Sequence, residues 1–341
     1  MKQRGFFDEN DRLKEISLLG DPLERLNAVI DWESFRPRLT AVFKKEAKGP
    51  GGRPPYDYVV MFKILILQRL YGISDAQTEF QIKDRLSFMR FLGFSLCDTI
   101  PDEKTIWLYR EQLVKADIID TLFYRFTYQL EKKGLITRTG SLIDASFVDV
   151  PKQRNKKEEN DAIKKGDIPE EWKDESKANM VAQKDTDAHW TKKNDETHYG
   201  YKNHVKADKD SKLIVGYKVT SAEVHDSQIL PELVDKKKDK VIYADSAYKG
   251  KEIESCLGKK MENQICEKGY RNKPLTEEQK SMNSKRSSVR VRVEHVFGFM
   301  TNSMNGMMIR CIGIARARFA IGMMNLVYNM SRYGFLVGAH T

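Results

Sequence analysis

The hydrophobic pattern changes period once along the chain. Up to about residue 135 the apolar positions recur at helical spacing; beyond it they alternate, or run together as in buried strands. YVVMFKILILQRLY (58–71) reads as a helix that Gly72 can end. Ser74 and Gln77 make a capping box for a helix expected to run from Asp75 towards Phe91. Pro101 and Asp102 open another helix, with Ile106, Leu108, Leu113 and Ile118 on its apolar faces. A fourth spans about 119–132, and Gly134 stops it. KGPGGRPP (48–55) is a loop on composition. Helix pairs of this kind suit either a helix-turn-helix reader of DNA or a bundle that packs against the rest of the protein.

After Gly134, SLIDASFVDV (141–150) is a strand by β-branched content and alternation. HYGYKNHVKADKD (198–210) and KLIVGYKVTSAEV (212–224) predict two strands joined by a turn at Asp208 to Ser211. A short helix follows Asp226, KVIYADSAY (240–248) is a buried strand, 249–258 a helix and KMENQIC (260–266) a short strand. Helical segments from Glu277 to Asn302 and from Ala315 to Phe335 close the chain, the apolar FAIGMMNLVYNM serving core or subunit contact. This order predicts an α/β domain over 137–338, a mixed sheet flanked by helices, preceded by an all-helical domain over 1–136. Between the first two strands lies a polar insertion, about 151–197, with dense mixed charge and little apolar periodicity. It is expected to be a solvated, partly disordered loop; a DNA-contacting arm is the alternative.

Charge adds a direction. The 341 residues carry a formal net charge of +10, which fits a polyanionic partner without requiring one. Residues 1–150 hold 23 Lys/Arg against 22 Asp/Glu, and 151–196 hold 11 against 12, so the excess lies beyond 197. Between Lys268 and Arg318 there are 11 basic and 3 acidic residues, a density suited to phosphates. Cys97, Cys256, Cys266 and Cys311 form no CxxC pair and have no His at ligand spacing, which argues against structural zinc and against a disulfide framework. The polar start MKQRGFFDEN is no signal peptide, and the most apolar stretch is too short to span a bilayer. A cytoplasmic protein is expected.

Three carboxylates stand out. Asp144 interrupts an apolar strand, where a lone buried carboxylate costs several kcal/mol unless paired. Asp245 ends the strand VIYAD, and strand ends in α/β sheets gather ligands. Glu294 follows Arg290 by four residues, one helical face, so the guanidinium could hold a phosphate while the carboxylate holds a metal. Each residue alone reads as structural; an Arg–Glu surface pair is the plain reading of the last. Together, three carboxylates without His or Cys suit hard Mg²⁺ or Mn²⁺, and two such ions can cleave a phosphodiester.

LIDASFVDVP, HYGYKNHVKADKDSKLIVGYKVTSAEVHDS, YADSAYKG and VRVRVEHVFG occur in the same order in DDE transposases of the insertion-sequence-five family. GGRPPYDYVVMFKILILQRLYGISDAQTEFQIKDRLSFMRFLGF and PDEKTIWLYREQL resemble that family's helical region, so the likeness spans about 50–335. It implies an RNase-H-like catalytic domain with Asp144, Asp245 and Glu294 as catalytic, metal-holding triad. The wider superfamily's signature is Tyr, two residues, Arg, three residues, Glu, six residues, Lys. Arg290 and Glu294 match it; Ser287 and Thr301 stand at the Tyr and Lys positions. Lys285, Arg286 and Arg292, with Arg290 and Lys202, are the candidate DNA-binding residues. His225-Asp226 matches a recurring His-Asp pair, which either neighbours the metal site or caps the next helix through Asp226. His295 is expected to pack.

The resemblance implies an enzyme of a bacterial or archaeal mobile element, nucleoid-associated, that cleaves transposon ends and joins them to target DNA, as a homodimer on DNA. Two Mg²⁺ ions, replaceable by Mn²⁺, would serve it without a nucleotide cofactor. A decayed or domesticated DNA-binding copy, or a related nuclease that cannot join ends, are the competing readings.

Overall fold

The structure, a computed structural model, describes residues 7–43, 54–193, 195–250, 255, 257, 261–271 and 273–338. The expected loop at 48–53, most of the expected helix at 249–258 and Cys256 lie outside the described residues. The chain divides into two compact units, Met1–Arg125 with Leu326–Thr341, and Phe126–Asn325. The boundary between the units lies inside a helix, Ile119–Lys132, and residues 326–341 belong with the first unit.

The first unit is helical. Its centre is the helix Tyr58–Tyr71, whose residues Phe62, Ile64, Ile66 and Leu67 are wholly buried. A helix apolar on all sides needs neighbours on all sides, which is why this one is surrounded. Asp57 caps its start, accepting from Val59 N at 2.9 Å and Val60 N at 3.0 Å, and Gly72 ends it at φ 59°. Lys63 is the one cation in its buried stretch Val59–Leu67; the amine sits 4.5 Å from the Phe91 ring, and burial pushes its pKa down to about 8. The helix expected from Asp75 to Phe91 is two, Asp75–Asp84 and Leu86–Leu92, separated by extended Arg85. The break re-phases the chain so that Phe88, Met89, Phe91 and Leu92 all reach the interior, where one continuous helix would splay them. Glu103–Lys115 begins at its Asp102 cap as expected.

The second unit is built on a six-stranded sheet. The strands are β1 (Ser141–Asp149), β2 (His189–Lys193), β3 (Glu196–Asp208), β4 (Ile214–Ser221), β5 (Val241–Tyr243) and β6 (Glu262–Asn263). β3 is antiparallel to β1 on one side and to β4 and β2 on the other; β5 continues β1 in parallel, and β6 continues β5. Helices flank it, including α1 of this unit's site region, Asp226–Leu233. This is the mixed, helix-flanked arrangement of an RNase-H-like core.

β3 is buried from Tyr199 to Ala207, with strongly polar residues, and each has a partner. On one face Asn203 and Asn325 exchange hydrogen bonds at 2.7 and 3.0 Å. On the other, Lys206 meets Asp239 at 2.8 Å, and Asp239 also accepts from Ser141 Oγ at 2.9 Å and Asp235 N at 2.8 Å. Removing one member of such a pair costs about 3–5 kcal/mol, because the other charge stays buried. The turn into β4 is organised by Asp208, which accepts from Arg138 N at 2.8 Å and Ser211 N at 3.0 Å.

The described residues of the insertion form regular elements where a loop was expected. It contains the helix Lys157–Lys164, short turns and strand β2, which extends the sheet. Trp172 is buried and donates to Glu159 at 2.8 Å. Asp185, also buried, accepts from the Tyr201 hydroxyl at 2.8 Å, and Asp187 accepts from Ile314 N at 2.8 Å at the start of the last helix, Ile314–Gly338. Hydrogen-bonded carboxylates and two apolar anchors, Ile163 and Trp172, hold the segment, and neither leaves a periodic hydrophobic trace.

Where β2 leaves off and β4 begins, β3 passes through Gly200, at φ +146°. A Cβ there would lie 2.4 Å from the Val148 carbonyl oxygen, which is backbone and cannot step aside. Gly200→Ala is therefore expected to lower stability by more than about 2 kcal/mol, from strain and overpacking together. Thermal or urea unfolding of the purified variant measures this, and a change under about 0.5 kcal/mol would show that the strand edge is soft.

Candidate active site

The parallel pairing of β1 and β5 aligns Leu142 with Tyr243. Asp144 stands two residues further along β1, and Asp245 two residues beyond the end of β5. Asp245 then caps a 3-10 turn, Ser246–Tyr248, accepting from Ala247 N at 2.9 Å. The turn exists because the chain must leave the sheet there, and small residues on both sides of Asp245 permit it.

The third carboxylate comes from the helical end of the unit. α2 of the site, Glu277–Arg290, starts with a Thr276/Gln279 capping box. It passes through a 3-10 turn, Val291–Val293, into α3, Glu294–Ser303. The single helix expected from Glu277 to Asn302 is therefore interrupted at VRV, where β-branched residues crowd a helical turn and Val293 is drawn fully inside. The four-residue spacing still places Arg290 Nη1 3.8 Å from Glu294 Oε1. The same nitrogen donates to Asp144 Oδ2 at 2.6 Å. Arg290 thus bridges the first and third carboxylates.

Asp144 is mostly buried, and Ala145 N donates to its other oxygen at 2.8 Å. Burial raises its pKa to about 6; the Ala145 hydrogen bond and Arg290 work against that rise, while the charges of Asp245 and Glu294 add to it. The three carboxylates share one electrostatic neighbourhood. Among the described residues, though, no three His, Cys, Asp or Glu side chains already form a cluster that could hold a metal ion. Arg290 lies between Asp144 and Glu294.

The other expected residues divide. Lys285 and Arg292 are exposed. Arg286 is turned inward, with Nε donating to Gln264 at 3.0 Å and Nη1 to the Ile265 carbonyl at 2.8 Å, so it ties its helix to the sheet. Lys202 is buried as well, its amine 2.9 Å from Asp226 Oδ1 and 2.7 Å from the Val224 carbonyl, and is not presented to a phosphate. The cap of Asp226–Leu233 is His225, accepting from Ser227 N at 3.3 Å, and not Asp226, which is committed to Lys202. His295 is exposed where packing was expected. Ser287 lies 3.6 Å from Cys266, in place of the signature's tyrosine, and Thr301 is exposed. Tyr248, three residues after Asp245, escaped notice in the sequence because a tyrosine beside an apolar strand reads as core.

Two family models match the chain. Residues 11–112 match the Transposase domain (DUF772), and residues 136–330 match the Transposase DDE domain. The second covers more than half the chain and contains every element of the site. The chain belongs to the DDE transposases of insertion sequences, enzymes that act on DNA with divalent metal ions. No solved structure matches it. No helix among the described residues is long and apolar enough to cross a membrane. The donor set fits the family's metal in kind: three carboxylates, oxygen only, Asp144 mostly buried and Glu294 exposed, with the Arg290 guanidinium beside both. Any cation entering would compete with Arg290 for Asp144.

Beside the site, His204 on β3 is fully buried, with Nε2 2.9 Å from Thr220 Oγ1 and Nδ1 4.0 Å from Asp226 Oδ1. Burial pushes its pKa down to about 4, Asp226 and Glu232 opposing and Lys202 reinforcing. The folded state therefore binds fewer protons than the unfolded chain between pH 4 and the ordinary histidine value of about 6.5. Stability contributed by neutral His204 is full above about pH 6.5 and is lost, by up to about 3 kcal/mol, as pH falls towards 4. His204→Gln should flatten the melting temperature over that window relative to wild type; parallel pH profiles for the two proteins would refute the assignment.

Proposed function

We propose that this transposase, a member of the insertion-sequence-five group, cleaves the ends of its element and joins them to target DNA, acting as a homodimer so that both ends are held together. The observation that carries the reading is the convergence of Asp144 and Glu294 on Arg290, with the charge of Asp245 close enough to act on Asp144. Asp144, Asp245 and Glu294 would hold the divalent ions. Two such ions, when bound, activate the attacking oxygen and stabilise the leaving one in phosphodiester transfer. Arg290 would hold the scissile-strand phosphate, a bidentate role its planar fork suits. Lys285 and Arg292, exposed near it, supply phosphate contacts that align the strand. Arg286 and Lys202 serve internally, holding the helix Glu277–Arg290 and the His225–Asp226 segment in place.

Asp144→Asn is expected to abolish end cleavage, a loss of at least about 10³-fold, while end binding changes less than about threefold, since phosphate contact and metal chemistry are separate. Labelled end DNA with Mn²⁺ reads both, and joining of the cut end distinguishes a transposase from a plain nuclease. Cutting by the variant at a comparable rate would dismiss the triad. Replacing Lys285 and Arg292 together with Ala should reduce the slope of log affinity against log salt by about 2, across unrelated sequences. An unchanged slope would mean that these two side chains do not meet phosphates.

A further inference from the structure

Tyr248 has no exposed surface, and its hydroxyl has no hydrogen-bond partner among the described residues. A buried unpaired hydroxyl is a standing cost, and phenylalanine would fill the same space without it. The ring packs in an apolar cluster with Ile143, Leu230, Leu233 and Ile265, which explains an aromatic residue but not its oxygen.

The surroundings give the oxygen a purpose. Tyr248 closes the 3-10 turn that Asp245 caps, its N–H donating to the Asp245 carbonyl at 3.2 Å. Side chains three apart on such a turn project on one side, so where Tyr248 is fixed, Asp245 is fixed. The groups whose charge the phenol senses are Asp226, Asp144 and Asp245, with Arg290 opposing them. Asp226 takes both Lys202, at 2.9 Å, and the approach of His204, at 4.0 Å, on Oδ1, leaving Oδ2 as an acceptor.

We propose that Tyr248 is a positioning residue of the metal site: its hydroxyl donates to Asp226 Oδ2 when the carboxylates close on their ions, and so anchors the Asp245 turn to the His225–Asp226 segment. Lys202, Asp226, Tyr248 and Asp245 then form one line of support, which gives the buried Lys202–Asp226 pair a role beyond the fold. The inference rests on the proposed metal-holding role of Asp144, Asp245 and Glu294.

The test is the Mn²⁺-dependent rise in melting temperature of the full-length protein, with end binding and cleavage measured alongside. Tyr248→Phe is expected to melt at or above the wild-type temperature without metal, because the unpaired hydroxyl is gone. Its Mn²⁺ midpoint should rise by about tenfold or more, as loss of a supporting partner typically does, with end binding unchanged. Asp226→Asn should weaken Mn²⁺ similarly, and the double variant should be no worse than the poorer single one. A Tyr248→Phe midpoint within twofold of wild type, or full additivity in the double variant, overturns the role of Tyr248. A wild-type protein that shows no Mn²⁺ response overturns the carboxylate reading itself, and this inference with it.

Discussion

A carboxylate inside an apolar strand is the constraint around which the second unit is arranged. Asp144 cannot sit in β1 without an answering charge, and the sheet offers none on that face. Arg290 supplies it from 146 residues away, at 2.6 Å, and thereby fixes where the helix Glu277–Arg290 lies against the strand. Glu294 follows because it is one turn on. Arg286 adds a second tether to the sheet through Ile265. The pairing that makes the strand tolerable is therefore the same pairing that delivers the third acidic residue.

The polar interior of β3 extends this logic. Lys202, His204 and Lys206 line one face, each answered by a group from outside the strand: Asp226, Thr220 and Asp239. Such pairs add little net stability compared with apolar packing, but each forbids a shift of register, since a slip by one residue would strand every charge. A strand so fixed keeps its neighbour β1, and hence Asp144, from sliding. The register of β1 against β3, and with it the place of Asp144, is what these buried pairs fix.

Much of this could be read from residues alone. The helix ends at Gly72 and Lys132, the strands around Asp144 and the hairpin at Asp208 follow from periodicity and turn chemistry, while the three carboxylates stand out as acids beside apolar strands and are joined into one set by the family resemblance. What stayed hidden shares one cause. The break at Arg85, the interruption at Val291–Val293 and the order within the insertion are set by distant partners, and local pattern carries no trace of them. The inward turn of Lys202 and Arg286 is of the same kind: a cation in a basic segment looks like a phosphate ligand until its acceptor is seen. His225 rather than Asp226 capping its helix shows the point in miniature, because Lys202 had already claimed the aspartate.

The first unit is assembled from the two ends of the chain, with Gly334 and Gly338 of the last helix lying against Leu26 and Arg25. During synthesis, its early helices emerge with part of their apolar surface uncovered and must wait while the whole catalytic unit is made. The sheet, whose parts are contiguous, can close first. Order of manufacture and order of completion are thus reversed: the part begun first is finished last. A chain cut short within the helix Ile314–Gly338 would carry a nearly whole catalytic sheet while its helical unit still lacked a wall.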